Sequence, residues 1–276
     1  MATHGKFCLA SLAALALYAT VADAVILYGN DNSANQSDPG TGAPWGNVAE
    51  IVNDGGSGLT GSAVYIGDGF LLTADHVTLR SHVSFDGATF LARDLGYTPV
   101  QIAPADLKLF RIASDPGLPS VPLYDGSSEV GLTGTIVGWG VGRDPGVPVD
   151  TDAVTWGTDA TVAKRWGTNV LAGVNNSLSL LGYVYSALVT VLGNAVGDDE
   201  AAITSHDSGS ALFVNDGGTW KLAGVGTSTE SPSGTSTFGA DTLSAGGQEN
   251  YFVRIATYRT QIETTVPVDV TRFTVD

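Results

Sequence analysis

The sequence predicts an all-β protein built in two halves and ended by one helix. Short apolar runs bounded by Gly, Asp, Asn and Pro recur along the 276 residues, with 36 glycines and only 14% charged residues. Long stretches of helical spacing are scarce, and this is the pattern of a barrel or a sandwich. A Pro/Gly/Asp-rich crossing at about 114–128 then divides the strand candidates into two sets of similar weight.

Residues 1–24, MATHGKFCLASLAALALYATVADA, have a short polar start with Lys6, an apolar stretch from Phe7 to Tyr18 and a small-x-small ending at Ala22-Asp23-Ala24. This is the form of a secretory signal cut between Ala24 and Val25. A membrane anchor is the alternative, but the apolar run falls short of the roughly 20 residues that span a bilayer. The expected product is exported, extracellular or periplasmic, with no membrane attachment after cleavage.

Past Val25-Ile26-Leu27 the chain is polar and loop-like to about residue 44. Strand candidates follow at 45–52, 62–66, 69–73, 82–85, 89–92 and 107–112, and these with residues 25–125 make the first half. The second half, 126–276, holds candidates at 131–139, 153–163, 183–192, 211–215 and 221–227. Only 255–265 has helical spacing, with Ile255, Tyr258 and Ile262 on one face.

A net charge of −16 with only 12 Lys and Arg argues against nucleic acid, whose phosphates such a surface repels. The one cysteine, Cys8, lies within the leader. The mature chain therefore has no thiol, which excludes cysteine catalysis, thiolate metal sites and disulfides. Asp198-Asp199-Glu200 reads as an acidic surface loop, with no EF-hand spacing around it. No metal or cofactor is expected, and a monomer is.

The chemistry gathers in three fragments. His76 ends GFLLTADHV, Asp106 opens ADLKLFRI, and Ser208 sits in AITSHDSGSALFV. Each alone is an ordinary strand end, turn or cap. Together they resemble the chymotrypsin/trypsin-like serine endopeptidases, in that family's order of His, Asp and Ser. GSAVYIGDGFLLTADHV is similar to its segment ending Thr-Ala-Ala-His-Cys, ADLKLFRI to Asp-Ile-Ala-Leu-Leu, and SHDSGSAL to Gly-Asp-Ser-Gly-Gly-Pro. Pro44-Trp45, TIVGWG, KLAGVGTST and NYFVRIATYRTQI resemble further family segments, so the likeness runs from about Pro44 to Val266.

The resemblance implies two packed six-stranded antiparallel β-barrels, chymotrypsin-like, with the site in the cleft between them. It implies a protein or peptide substrate and a His76–Asp106–Ser208 triad. The oxyanion hole would be formed by the N–H groups of His206 and Ser208, and the specificity pocket by Ala202, Thr227 and Thr229. It places Asp207 at the aspartate that receives a new N-terminal amine on activation, and signal cleavage would offer Val25 for that role. Ala202 stands where trypsins have aspartate, so Lys/Arg specificity is not expected.

Three departures bear on activity. His206 replaces a glycine, whose freedom the oxyanion peptide uses, and it would turn that peptide away or narrow the leaving-group side. Asp75 replaces an alanine beside His76, where it would either face the ring or point to the surface. Ser210 replaces the next glycine. The alternatives are a catalytically impaired protease-fold protein that binds peptide or protein in the cleft, and an all-β adhesion or carbohydrate-binding module.

Overall fold

The computed structural model describes residues 25–146, 153–154, 156–193, 196–230, 241–242 and 248–266. The leader at 1–24 and its cleavage motif lie outside these residues. The chain opens with β1 (Ile26–Leu27). The first half then runs through β2 (Val48–Val52), β3 (Gly61–Gly67), β4 (Phe70–Thr73), β5 (His82–Ser84), β6 (Phe90–Ala92), β7 (Val100–Gln101) and β8 (Lys108–Arg111).

These seven strands pair antiparallel in the order β6-β5-β2-β3-β4-β8-β7. Beyond β6 the chain returns to the end of β8: Arg93 bridges Ile112, and the Asp94 and Ala113 N–H groups donate to Arg111 O and Ala92 O. That short ladder brings the two ends of β6-β5-β2-β3-β4-β8 together into a ring of six, with β7 as a flap on β8.

The second half contains β9 (Thr133–Val141), β10 (Ala153–Val154), β11 (Val162–Leu180), β12 (Tyr183–Leu192), β13 (Ala201–Ala202), β14 (Ala211–Asp216), β15 (Thr219–Glu230), β16 (Asp241–Thr242) and β17 (Gln248–Arg254). Six of them close a barrel in the order β11-β12-β17-β15-β14-β9. Helix α1 (Ile255–Thr265) follows directly and buries Ile255, Tyr258 and Ile262, the face its spacing predicts.

The second half departs from expectation in two places. The strand expected over 153–163 is only β10, followed by a 3₁₀ turn at Asp159–Thr161, because Thr158 caps that turn with its side chain. The long strand is β11, whose mixed run of Lys, Arg, Asn and Gly hides its alternation. It meets β12 across the two-residue turn Leu181-Gly182, where φ is +53° and +87°. Two successive positive φ values are the mark of the hairpin turn whose twist matches its strands.

Val25-Ile26-Leu27, grouped by sequence with the first half, belongs to the second. Ile26 and Leu27 pair with Ala202 and Ala201, and all three side chains are buried among residues such as Leu171, Ile203 and Leu192. Three apolar residues gain more from a barrel wall than from the polar loop after them.

One continuous core joins the halves. Val48, Val64, Leu72 and Leu107 pack with Val137, Ala211, Phe213 and Leu222. Lys164 sits in the same seam, 7% exposed, its ammonium 4.8 Å from the Trp45 ring and donating to Phe85 O at 3.0 Å. Burial pushes its pKa down to about 7. An unfolded lysine keeps its proton to about pH 10.4, so across that interval the unfolded chain binds more protons and stability rises with pH. Comparison of urea midpoints from pH 7 to 10 should show this rise in the wild type, at most about 1.4 kcal/mol per pH unit, and lose it in Lys164→Met.

Candidate active site

The end of β4 and the start of β8 bring the first two residues together. After Thr73 the chain turns and presents His76. Its backbone N–H donates to Asp106 Oδ1 (2.9 Å) and its ring Nδ1 lies 2.7 Å from Asp106 Oδ2. Asp106, just before β8, is fully buried. One carboxylate thus fixes both the backbone and the ring of the histidine. Donation from Nδ1–H leaves Nε2 as an acceptor, and Nε2 is 2.8 Å from Ser208 Oγ.

Ser208 comes from the other barrel, on the turn between β13 and β14. That turn is braced by the Ser210 N–H on Asp207 O (2.7 Å) and the Gly209 N–H on Gly226 O (2.7 Å). Gly209 has φ +89°, and a Cβ there would stand 1.9 Å from Ser62 O. No other residue fits, because the turn is pressed onto β3: the Ser62 N–H donates to Ser208 O at 2.8 Å.

His206 holds a left-handed φ of +69°, the conformation a glycine would take without cost. Ser205 O accepts the Val141 N–H at 2.9 Å. The His206 N–H, trans across the same peptide plane, therefore faces away from β9. No described residue accepts the N–H of His206 or of Ser208. The ring is drawn aside, with Nε2 3.1 Å from Asp159 Oδ1.

Asp207 points the other way, into the second barrel. Its Oδ2 accepts from the Thr204 N–H (2.8 Å) and Oγ1 (3.0 Å), and from the Val25 N–H at 3.4 Å. Oδ1 has no hydrogen-bond partner among the described residues. Burial pushes its pKa up to about 7, against those hydrogen bonds and the nearby positive charge of Arg165. The GWG run makes room for it, since a Cβ on Gly138 or Gly140 would collide with this carboxyl.

Asp75 faces neither the histidine ring nor open water. Its carboxylate is 3.2 Å from Lys108 Nζ and accepts from Tyr183 Oη at 2.8 Å. Lys108 belongs to β8 and Tyr183 to β12, so this link crosses between the barrels beside His76. Burial, then hydrogen bonding to Asp75, pushes the Tyr183 pKa up to about 12.

A cavity of about 290 Å³ opens from Ser208 and His76, lined by Ile203, Leu180, Leu181, Trp156 and the strand Thr227–Thr229. Thr227 and Thr229 are among the lining residues. Ala202 does not line the cavity: at 2% exposed its backbone pairs with Ile26, and the adjacent Ile203 forms the wall. Leu180 and Leu181 were not legible, because their turn lacks the Asn-Gly or Asp-Gly that marks such hairpins.

No family model and no curated protein matches this chain. Solved structures do. Neuropsin, a serine protease expressed in the limbic system of mouse brain, superposes with a TM-score of 0.56 at 18% identity, over 84% of this chain and 98% of that one. Kallikrein-related peptidase 10 matches at 15% identity and TM-score 0.49, over 82% and 96%. The chain has the chymotrypsin-like serine protease fold.

The left-handed backbone at residue 206 sets an order of stability. His206→Gly should unfold at a higher temperature than His206→Ala by the equivalent of about 1 kcal/mol, although alanine is elsewhere the better-tolerated residue; thermal unfolding of the two variants measures it.

Proposed function

We propose that the chain is an exported serine endopeptidase that cleaves peptide bonds through an acyl-enzyme. The observation that carries this reading is the run of hydrogen bonds from Asp106 to His76 to Ser208, at 2.7 and 2.8 Å, assembled from two barrels. A serine hydroxyl is a weak nucleophile at neutral pH and needs a base as it attacks. His76 Nε2 takes the Ser208 proton and returns it to the leaving amine, while buried Asp106 holds the tautomer and stabilises the imidazolium. The carbonyl oxygen, gaining charge, is met by the N–H groups of His206 and Ser208. Loss of one such donor typically costs roughly 3 kcal/mol of barrier.

The cavity beside Ser208 favours an apolar side chain before the scissile bond. Its walls include Leu180, Leu181, Ile203 and Trp156, and none of the described residues that line it is a carboxylate to pair with lysine or arginine. Thr227 O, 3.4 Å from Ser208 Oγ, lies on the strand along which the substrate backbone would run.

Export would also complete the site. Val25 is buried with φ +46°, a strained value for a β-branched residue. Cleavage before Val25 abolishes that torsion and turns the N–H near Asp207 into an ammonium. A full positive charge there lowers the pKa of Asp207 and locks the turn that carries Ser208. Among the described residues no helix is long and apolar enough to cross a membrane.

A fluorophosphonate probe should label the wild type and Ser210→Ala but not Ser208→Ala, whose kcat should fall on the order of 10⁶-fold. A protein that stays unlabelled yet binds peptides in the cleft would replace this reading with the impaired-protease one. Sequencing of the secreted protein should find Val25 first, and chains that retain residues ahead of Val25 should label more slowly.

A further inference from the structure

A second cavity, of about 530 Å³, lies on the far side of His206 and shares only that residue with the cavity beside Ser208. Its walls include Glu50, Leu59, Phe90, Trp139 and Asp159, with a rim of glycines at 55, 56, 58 and 87. A substrate whose acyl part occupies the Thr227–Thr229 side continues past Ser208 in this direction after the scissile bond.

Glu50 is the unusual member. It is 8% exposed, yet no described residue donates a hydrogen bond to its carboxyl. It is placed by β2, opposite Ser62 on β3 and Ser84 on β5. Ser62 sends its hydroxyl to His206 O, so this row of side chains faces the reaction centre. An unpaired carboxyl buried to that degree costs several kcal/mol when ionised, and the fold keeps it on the wall of an open cavity.

The charge that acts on it is another carboxylate. Asp86 is held ionised by the N–H groups of Thr89 and Ala88, with its pKa near 2, and it repels Glu50. Asp159 projects from the rim, paired to His206. Lys164, 5.9 Å from the centre of the Trp139 ring, donates to Phe85 O, lies against Trp45 and does not line the cavity. Burial, then Asp86, pushes the Glu50 pKa up to about 7. Once ionised, Glu50 has no described cation paired to it, and a cation entering the cavity would relieve it beside the Trp139 ring in the same wall.

We propose that this cavity is a leaving-group subsite that takes a lysine or arginine side chain from one of the first two residues after the scissile bond, paired to Glu50. The inference rests on the endopeptidase reading. With an apolar residue on the acyl side, the substrate class becomes an apolar residue followed closely by a basic one.

The test uses quenched fluorescent peptides that differ only at those two positions, carrying arginine, glutamine or glutamate. In the wild type, arginine should exceed glutamine in kcat/KM by about tenfold or more, with glutamate lowest. In Glu50→Gln the arginine-to-glutamine ratio should fall to near one. That ratio is internal to each enzyme and so does not depend on how much of the variant folds. In the wild type alone the ratio should also rise from about pH 6 to about pH 8 as Glu50 ionises. The pH arm is read against Glu50→Gln, in which this rise should be absent. Labelling and cleavage without an arginine preference, or a preference unchanged in Glu50→Gln, would overturn this subsite and leave the protease reading intact. No labelling and no cleavage of any peptide would overturn both.

Discussion

The contact between the Asp207-Ser208-Gly209 turn and β3 is the constraint on which the site depends. Ser208 belongs to one barrel and His76 to the other, so no sheet hydrogen bonding fixes their separation. What fixes it is the Ser62 N–H on Ser208 O and the absence of a side chain at Gly209, which lets the turn lie against Ser62 O. Thr73 Oγ1 donates to the same Ser62 O at 2.7 Å, and Ser62 Oγ accepts from the Trp139 N–H at 2.8 Å. Each side of the seam thus reads the position of the other through one serine. Catalytic groups tolerate displacements of only about 0.5 Å, and a shared apolar core alone does not give that definition.

The seam is dense in buried charge as well as apolar contact. Asp106, Asp207, Lys164 and Arg165 are all within a tenth of full burial. Buried charges add little net stability but are costly to leave without partners. Two of them flank the candidate site: Asp106 is hydrogen-bonded to His76, and Asp207 is cradled behind Ser208. Glu50 is the exception, with its carboxyl left open to a cavity. The described residues include no cysteine, and the shared apolar core holds the two halves together.

Much of this was legible in the sequence because the informative features are local. The strands of the first half have short apolar runs between Gly and Asp, and His76, Asp106 and Ser208 each carry their neighbours with them. The long strand β11 was not legible, since its buried Lys164 and Arg165 read as surface residues. Ala202 was placed in the pocket by resemblance alone, and nothing in the sequence shows that its backbone pairs with Ile26 and leaves Ile203 to form the wall. The link from Tyr183 to Asp75 joins residues 108 apart in the chain, and nothing in either segment announces the other. Glu50 reads as the polar member of an ordinary strand until β3 and β5 are placed beside it.

The first residues of the described chain are already seated. Arg143 donates to the carbonyls of Leu27 and Tyr28, and Asn35 holds Val25 O and Trp166 O. Proteolytic maturation at that point would need no refolding and no journey of a freed terminus across the surface. It would switch on a single electrostatic attraction inside an assembled socket, so its response in time would be set by the peptidase that makes the cut and not by the protein that receives it.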